Sequence, residues 1–262
     1  MPDRQVKLLF IFGTRPEAIK MAPLVHAFSA EPDFDVKVAV TAQHREMLDQ
    51  VLEFFDIIPD FDLNLMKPDQ TLFDVTSDGI KALAPVLQAA APDMIFVQGD
   101  TTTAFVGALA GYYKKCRVAH VEAGLRSHNK YAPFPEEMNR IMAGHLADLH
   151  LAPTQGAVDN LKKENIVNHV HIVGNTVIDA LFRGLELLKG PKGDAVFQSL
   201  KHLPLDRRYV LVTGHRRESF GNPFEQICEA IARTAEAFPE VHFIYPVHRS
   251  EEHTSELQSP CN

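Results

Sequence analysis

A chain of 262 residues, 45% of them hydrophobic, is long enough for one large or two ordinary domains around packed cores. No run approaches the roughly 18 consecutive apolar residues of a membrane helix, and MPDRQVK lacks the apolar centre of a signal peptide, so a cytoplasmic protein without a membrane partner is expected. The formal charge of −8 leaves no basic footprint for nucleic acid, and Cys116, Cys228 and Cys261, with no CxxC pair, argue against a disulfide framework and a zinc site.

The first apolar run, KLLFIFG, predicts a strand that passes through Gly13 into Thr14-Arg15-Pro16-Glu17-Ala18-Ile19-Lys20, where Pro16 suits the first turn of a helix. Free backbone N–H groups at that start, with Arg15 and Lys20, make a candidate site for a phosphate or carboxylate. A solvated charge pair on an ordinary helix accounts for the same residues, and no Walker pattern decides between them. The next strand, DVKVAVT, ends at Gln43 and His44, of which the histidine suits capping or packing as well as a ligand. A helix over REMLDQVLEFF, a loop or short strand over IIPDFDLNLMKPDQT and a helical region to Gln88 follow.

Between Gln98 and Arg140 the polar chemistry is densest. Asp100 follows the apolar run MIFVQ and Glu122 ends the run VAHV; in a parallel α/β sheet the carboxyl ends of strands face the ligand crevice. An Asp before a Thr-rich helix start also reads as an N-cap, but the same placement recurs at Glu122 one βα unit later, with Arg126 following. Ala104, Gly107, Ala108, Ala110 and Gly111 would let the helix between them pack closely on a sheet. PFPEEMNR adds Glu136 and Arg140 at i, i+4 spacing, for which the plain alternative is a surface ion pair worth roughly a few tenths of a kcal/mol.

Strands DLHLAP and HVHIVG alternate with helices GAVDNLKKENI and NTVIDALFRGLELLKG, so the pattern through two-thirds of the chain predicts a doubly wound parallel sheet. GPKGDAVFQSLKHLPLDRR reads as a linker from its Pro, Gly and charge. A fresh strand, YVLVTG, then turns through His215-Arg216-Arg217-Glu218-Ser219, whose arginines suit phosphate oxygens; a solvated basic turn is the alternative. Helix NPFEQICEAIARTAEAF and strand VHFIYPVH complete about one βαβ unit. The expected division is a first domain over 1–172, a linker and partial second domain over 173–248, and a tail over 249–262 without apolar periodicity.

In order, FGTRPEAIKMAPLV, TAQHREMLDQVL, GDTTT, HVEAGLR, PEEMNR, GNTVIDAL, VTGHRRESFG and YPVH resemble the non-hydrolysing UDP-N-acetylglucosamine 2-epimerases of bacteria, from Lys7 to His248. The resemblance implies a GT-B-like α/β fold, two Rossmann-like doubly wound domains facing a cleft, the second incomplete here. It implies reversible conversion of UDP-GlcNAc to UDP-ManNAc through loss and re-addition of UDP and a 2-acetamidoglucal intermediate, for cell-surface polysaccharide precursors. No cofactor is implied, and no GxGxxG follows the first strand to seat a nicotinamide.

By the same resemblance Asp100, Glu122 and Glu136 take acid/base positions, His215 stands near the nucleotide, and Arg15, Lys20, Arg140 and Arg216 are on the substrate side. The resemblance suggests a homodimer formed through the first domain. Some family members bind UDP-GlcNAc at a regulatory site, to which Gln43, His44 and His248 correspond together with Arg216, although Glu46 stands where some regulated members have glutamine. Hydrolysing relatives share much of the fold. The portion RSEEHTSELQS looks like a translated sequencing adapter, so the chain is expected to be a C-terminally truncated record, the alternatives being a binding-only fragment and a non-catalytic partner subunit.

Overall fold

The computed structural model describes residues 4–42, 45–67, 69–213 and 222–246. Strand and helix alternate from the start: β1 (Val6–Phe12), α1 (Arg15–Ser29), β2 (Phe34–Val40), α2 (Arg45–Phe54), a two-residue β3 (Phe61–Asp62) and α3 (Leu72–Ala90). They continue as β4 (Met94–Gln98), α4 (Thr102–Lys114), β5 (Arg117–Val121), α5 (Glu136–Leu146), β6 (Leu149–Ala152), α6 (Gln155–Lys163), β7 (Val170–Ile172) and α7 (Val177–Leu187). The seven strands form one parallel sheet in the order β3-β2-β1-β4-β5-β6-β7.

This order puts a topological switch between β1 and β4. The chain leaves β1 toward one edge of the sheet and leaves β4 toward the other, and right-handed crossovers then place α1 and α4 on opposite faces. The loops after β1 and β4 therefore diverge and open a crevice at the carboxyl ends of the strands. Because helices cover both faces, the central strands are apolar on both sides. Leu9 and Ile11 of β1 join Leu83, Val86, Ala104 and Val106 of α3 and α4, whereas Phe10 stacks on Phe96 at a centroid distance of 4.6 Å and meets Phe28 of α1. The period-2 alternation of side chains along a strand accounts for the split.

The small residues of α4 do what their spacing suggests. A Cβ on Gly107 would lie 2.9 Å from Val97 Cγ1, and one on Gly111 would lie 2.7 Å from Val118 Cγ2. The helix axis sits close to the sheet only because those atoms are missing.

Contacts divide the chain between Glu186 and Leu187. The second unit contains α8 (Pro191–Ser199), β8 (Tyr209–Leu211), α9 (Asn222–Ala237) and β9 (His242–Ile244), with β8 and β9 paired in parallel. In the stretch expected to be a linker, the structure has α8. Its proline and glycines, which resemble breakers, are start signals: Gly190 is the N-cap and Pro191 occupies the first turn, where no N–H partner is needed. No helix among the described residues is long and apolar enough to cross a membrane.

Candidate active site

The β1–α1 loop is organised by Glu17, in the first turn of α1. Its carboxylate is fully buried and accepts from Gly13 N (3.0 Å), Thr14 N (2.8 Å) and Thr14 Oγ1 (2.8 Å) through Oε2, and from Thr101 Oγ1 (2.6 Å) through Oε1. The bonds to Gly13 and Thr14 satisfy N–H groups that a helix start leaves open. The bond to Thr101 crosses the switch point to the β4–α4 loop. Burial pushes the Glu17 carboxyl above the usual carboxylate range, against the pull of these donors.

Across the crevice, the N-cap of α4 is Thr101, whose Oγ1 accepts from Ala104 N at 3.0 Å. Asp100 is thereby released from the capping role its sequence position allowed. Its carboxylate is bound by the Arg140 guanidinium from α5. Burial raises the Asp100 pKa, the Arg140 charge opposes that rise, and smaller effects come from Glu122 upward and Lys20 downward. Arg140 also lies 3.4 Å from Glu137, a carboxylate only 1% exposed that accepts from Ser127 N and His128 N. The Glu136–Arg140 surface pair suggested by i, i+4 spacing is therefore not what forms: Arg140 turns inward to Asp100 and Glu137.

Glu122 stands one residue beyond β5 with φ at +63°, a left-handed conformation that a glutamate seldom adopts. Three donors, from α1, β4 and the loop after β7, meet on its carboxylate. Lys20 Nζ reaches Oε2 at 2.6 Å, Gln98 Nε2 reaches the same oxygen, and Asn175 Nδ2 reaches Oε1 at 2.6 Å. Beside it opens a recess of about 300 Å³, walled by Leu24, Leu151 and Val173 and bounded on its polar side by Glu122, Asn175 and Asp179. Behind this array His120 is fully buried, its Nε2 2.7 Å from Gly99 O. Burial lowers its pKa to about 4, so at neutral pH the ring is uncharged and Nε2–H donates to that carbonyl.

The structure thus brings Lys20, Asp100, Glu122 and Arg140 into one neighbourhood. Glu136 begins α5 with Oε2 buried and unpartnered among the described residues, and Arg15 begins α1 without an ion pair among them. Gln43, His44, His215, Arg216 and His248 lie outside the described residues. Arg126, which follows Glu122 closely in sequence, is committed elsewhere: its fork grips Glu164 with two bonds of 2.7 Å. Glu17, Gln98, His120, Glu137 and Asn175 were not singled out from the sequence. Thr14-x-x-Glu17 is a capping-box signature, and Asn175 follows a strand as Asp100 does, so two of the five carried a local signal.

Comparison with known proteins adds three findings. A family model described as UDP-N-acetylglucosamine 2-epimerase matches residues 26–261. The UDP-N-acetylglucosamine 2-epimerase of Salmonella typhimurium is 50% identical over 246 residues, which are 93% of this chain and 65% of that relative. The chain therefore spans less than two thirds of the length of that curated relative. Among solved structures, the UDP-GlcNAc 2-epimerase of Neisseria meningitidis bound to UDP-GlcNAc is similar with a TM-score of 0.87 and 43% identity, over 95% of this chain and 68% of that one. The Methanocaldococcus jannaschii UDP-GlcNAc 2-epimerase in complex with UDP-GlcNAc and UDP gives 0.80 and 32%, with the same coverage of 95% and 68%.

Proposed function

Since the chain belongs to the UDP-N-acetylglucosamine 2-epimerase family, we propose that it carries the acid/base residues of an enzyme that reversibly epimerises C2 of UDP-GlcNAc to give UDP-ManNAc. The observation that carries this reading is the pair of carboxylates at neighbouring strand ends, Asp100 clamped by Arg140 and Glu122 ringed by Lys20, Gln98 and Asn175.

The C2 proton of the intact sugar is not acidic. In the proposed reaction the C1–O bond breaks with its electron pair leaving on UDP, and the positive character at C1 lets a carboxylate take the C2 proton. The product of that half is 2-acetamidoglucal with UDP retained. Return of a proton to the opposite face of C2 and of the UDP oxygen to C1 gives the epimer, with no net oxidation. Proton transfer at two faces needs more than one acid/base group, and carboxylates in unlike surroundings suit the two tasks. Glu136 and His215 are assigned to the same acid/base set, and Arg15, Lys20, Arg140 and Arg216 to the substrate side. Lys20 and Arg140 act there by setting the charge around the acids, whereas Arg15, which has no ion pair among the described residues, is assigned to an anionic group of the substrate.

The proposal extends to a cytoplasmic homodimer supplying cell-surface polysaccharide precursors, with UDP-GlcNAc also acting as a regulator through Gln43, His44 and His248. The test is incubation of UDP-GlcNAc in D2O with the protein at the full length of its relatives. Deuterium should enter C2 and UDP-ManNAc should appear. Asp100→Asn and Glu122→Gln should each lower exchange by roughly 100-fold or more while UDP binding stays within about threefold. Unchanged exchange would remove that residue from the mechanism, and free sugar with UDP in place of UDP-ManNAc would favour a hydrolysing enzyme.

A further inference from the structure

We propose that Glu17 is a positioning residue that locks the β1–α1 loop to the β4–α4 loop through Thr101 and so sets where Asp100 stands against Lys20 and Glu122, a role that rests on the acid/base reading above.

Four donors fill one buried carboxylate, and they come from both sides of the switch point: Gly13 and Thr14 after β1, Thr101 after β4. A capping box requires only the contacts within α1. The bond of 2.6 Å to Thr101 is additional, joins residues 84 positions apart, and ends on the residue next to Asp100. Thr101 Oγ1 is at once donor to Glu17 and acceptor from Ala104 N, so one hydroxyl ties α1 to the first turn of α4. A second hydroxyl pair, Thr41 Oγ1 to Thr103 Oγ1 at 2.9 Å, lies directly behind Gly13, where an added Cβ would come within 1.9 Å of Thr41 Oγ1. The seam therefore has no slack. One turn beyond Glu17 on the same helix, Lys20 holds Glu122. The first turns of α1 thus contact the loops after β1, β4 and β5 together, and a shift of Glu17 would move the two catalytic carboxylates relative to each other.

The experiment compares Glu17→Gln, Thr101→Val and Thr101→Ser in the full-length protein, with Thr154→Val as a control. Thr154 caps α6 by the same contact to a backbone N–H, from Ala157, so its loss reports cap removal alone. Two readouts are taken: the titration midpoint of Asp100 by NMR with 13C-carboxylate label, and the kcat and KM for epimerisation. Glu17→Gln puts an amide donor among four donors, and Thr101→Val removes the linking hydroxyl. Both should move the Asp100 midpoint and lower kcat by roughly 10- to 100-fold with KM within about threefold, as misplacement of a reacting group does. Thr101→Ser should restore both values, and Thr154→Val should change neither.

Unmoved midpoints and kcat in folded Glu17→Gln and Thr101→Val would overturn the proposal, and so would equal effects from Thr154→Val. If Glu17→Gln does not fold, the Val and Ser variants at Thr101 decide the question alone. A moved Asp100 midpoint in a protein whose unmodified form shows no C2 exchange would uphold the positioning role and reject the epimerase reading.

Discussion

His120 shows how one buried side chain makes stability depend on pH. Its ring is fully enclosed, donates to Gly99 O, and leaves Nδ1 buried without a partner among the described residues. With a pKa lowered to about 4 in the folded protein, it stays neutral at pH values where an unfolded histidine takes up a proton. The stability it contributes is therefore complete above about pH 6.5 and is lost as pH falls toward about 4, a difference on the order of 3 kcal/mol. Glu17 and Asp100 act in the opposite sense: their raised pKa values contribute stability at low pH that is lost as pH rises through the folded value. Replacing His120 by Gln keeps an N–H donor and removes the titration. Chemical unfolding between about pH 4.5 and 7 should show the stability of His120→Gln depending less on pH, by up to about one proton. An unchanged slope would mean that His120 is not neutral in the fold.

At the scale of elements, α4 illustrates a glycine chosen by packing rather than by turn geometry. Ala is the better helix former by about 1 kcal/mol, yet a Cβ at Gly111 would meet Val118 Cγ2 at 2.7 Å and Ile95 Cδ1 at 3.0 Å. Overpacking costs about 1–3 kcal/mol, so Gly111→Ala should destabilise by about 1 kcal/mol in denaturant unfolding. Gly156 in α6 is the contrast. It is exposed, and an added Cβ there would find only Thr154 Oγ1, at 3.9 Å. Gly156→Ala should stabilise by about 0.5 kcal/mol. A reversed order of the two variants would show that helix propensity, not distance to the sheet, governs these sites.

For the whole molecule, the two units differ in how their strands are enclosed. β1 and β4 have neighbours on both sides and apolar residues buried on both faces, while among the described residues β8 has one neighbour and all three of its residues are exposed. A pair of strands closes little backbone away from water, and local opening is correspondingly easier. Hydrogen exchange should therefore protect the amides of β1, β4 and β5 most, with β8 and β9 exchanging markedly faster; equal protection would mean that the small sheet is covered in solution.

Much of the first unit was legible in the sequence because it depends on local periodicity. Apolar runs of strand length alternating with helical patterns specify a parallel α/β sheet, and the rule that ligands gather at strand carboxyl ends is enough to pick Asp100 and Glu122. Local spacing also left alternatives open: a surface pair of Arg140 with Glu136, a cap at Asp100, and Arg126 near the acids. Thr101 takes the cap beside Asp100, while the strand order decides which loops become neighbours. It brings Arg140 to Asp100 from 40 positions away, Asn175 to Glu122 from 53, and Thr101 to Glu17 from 84. Sequence alone determined the alternating elements of the first unit and the carboxylates Asp100 and Glu122 at their ends, but not α8, which read as a linker. Only the tertiary structure decided which donor each carboxylate meets, because hydrogen bonds form between atoms that packing makes adjacent, whatever their distance along the chain.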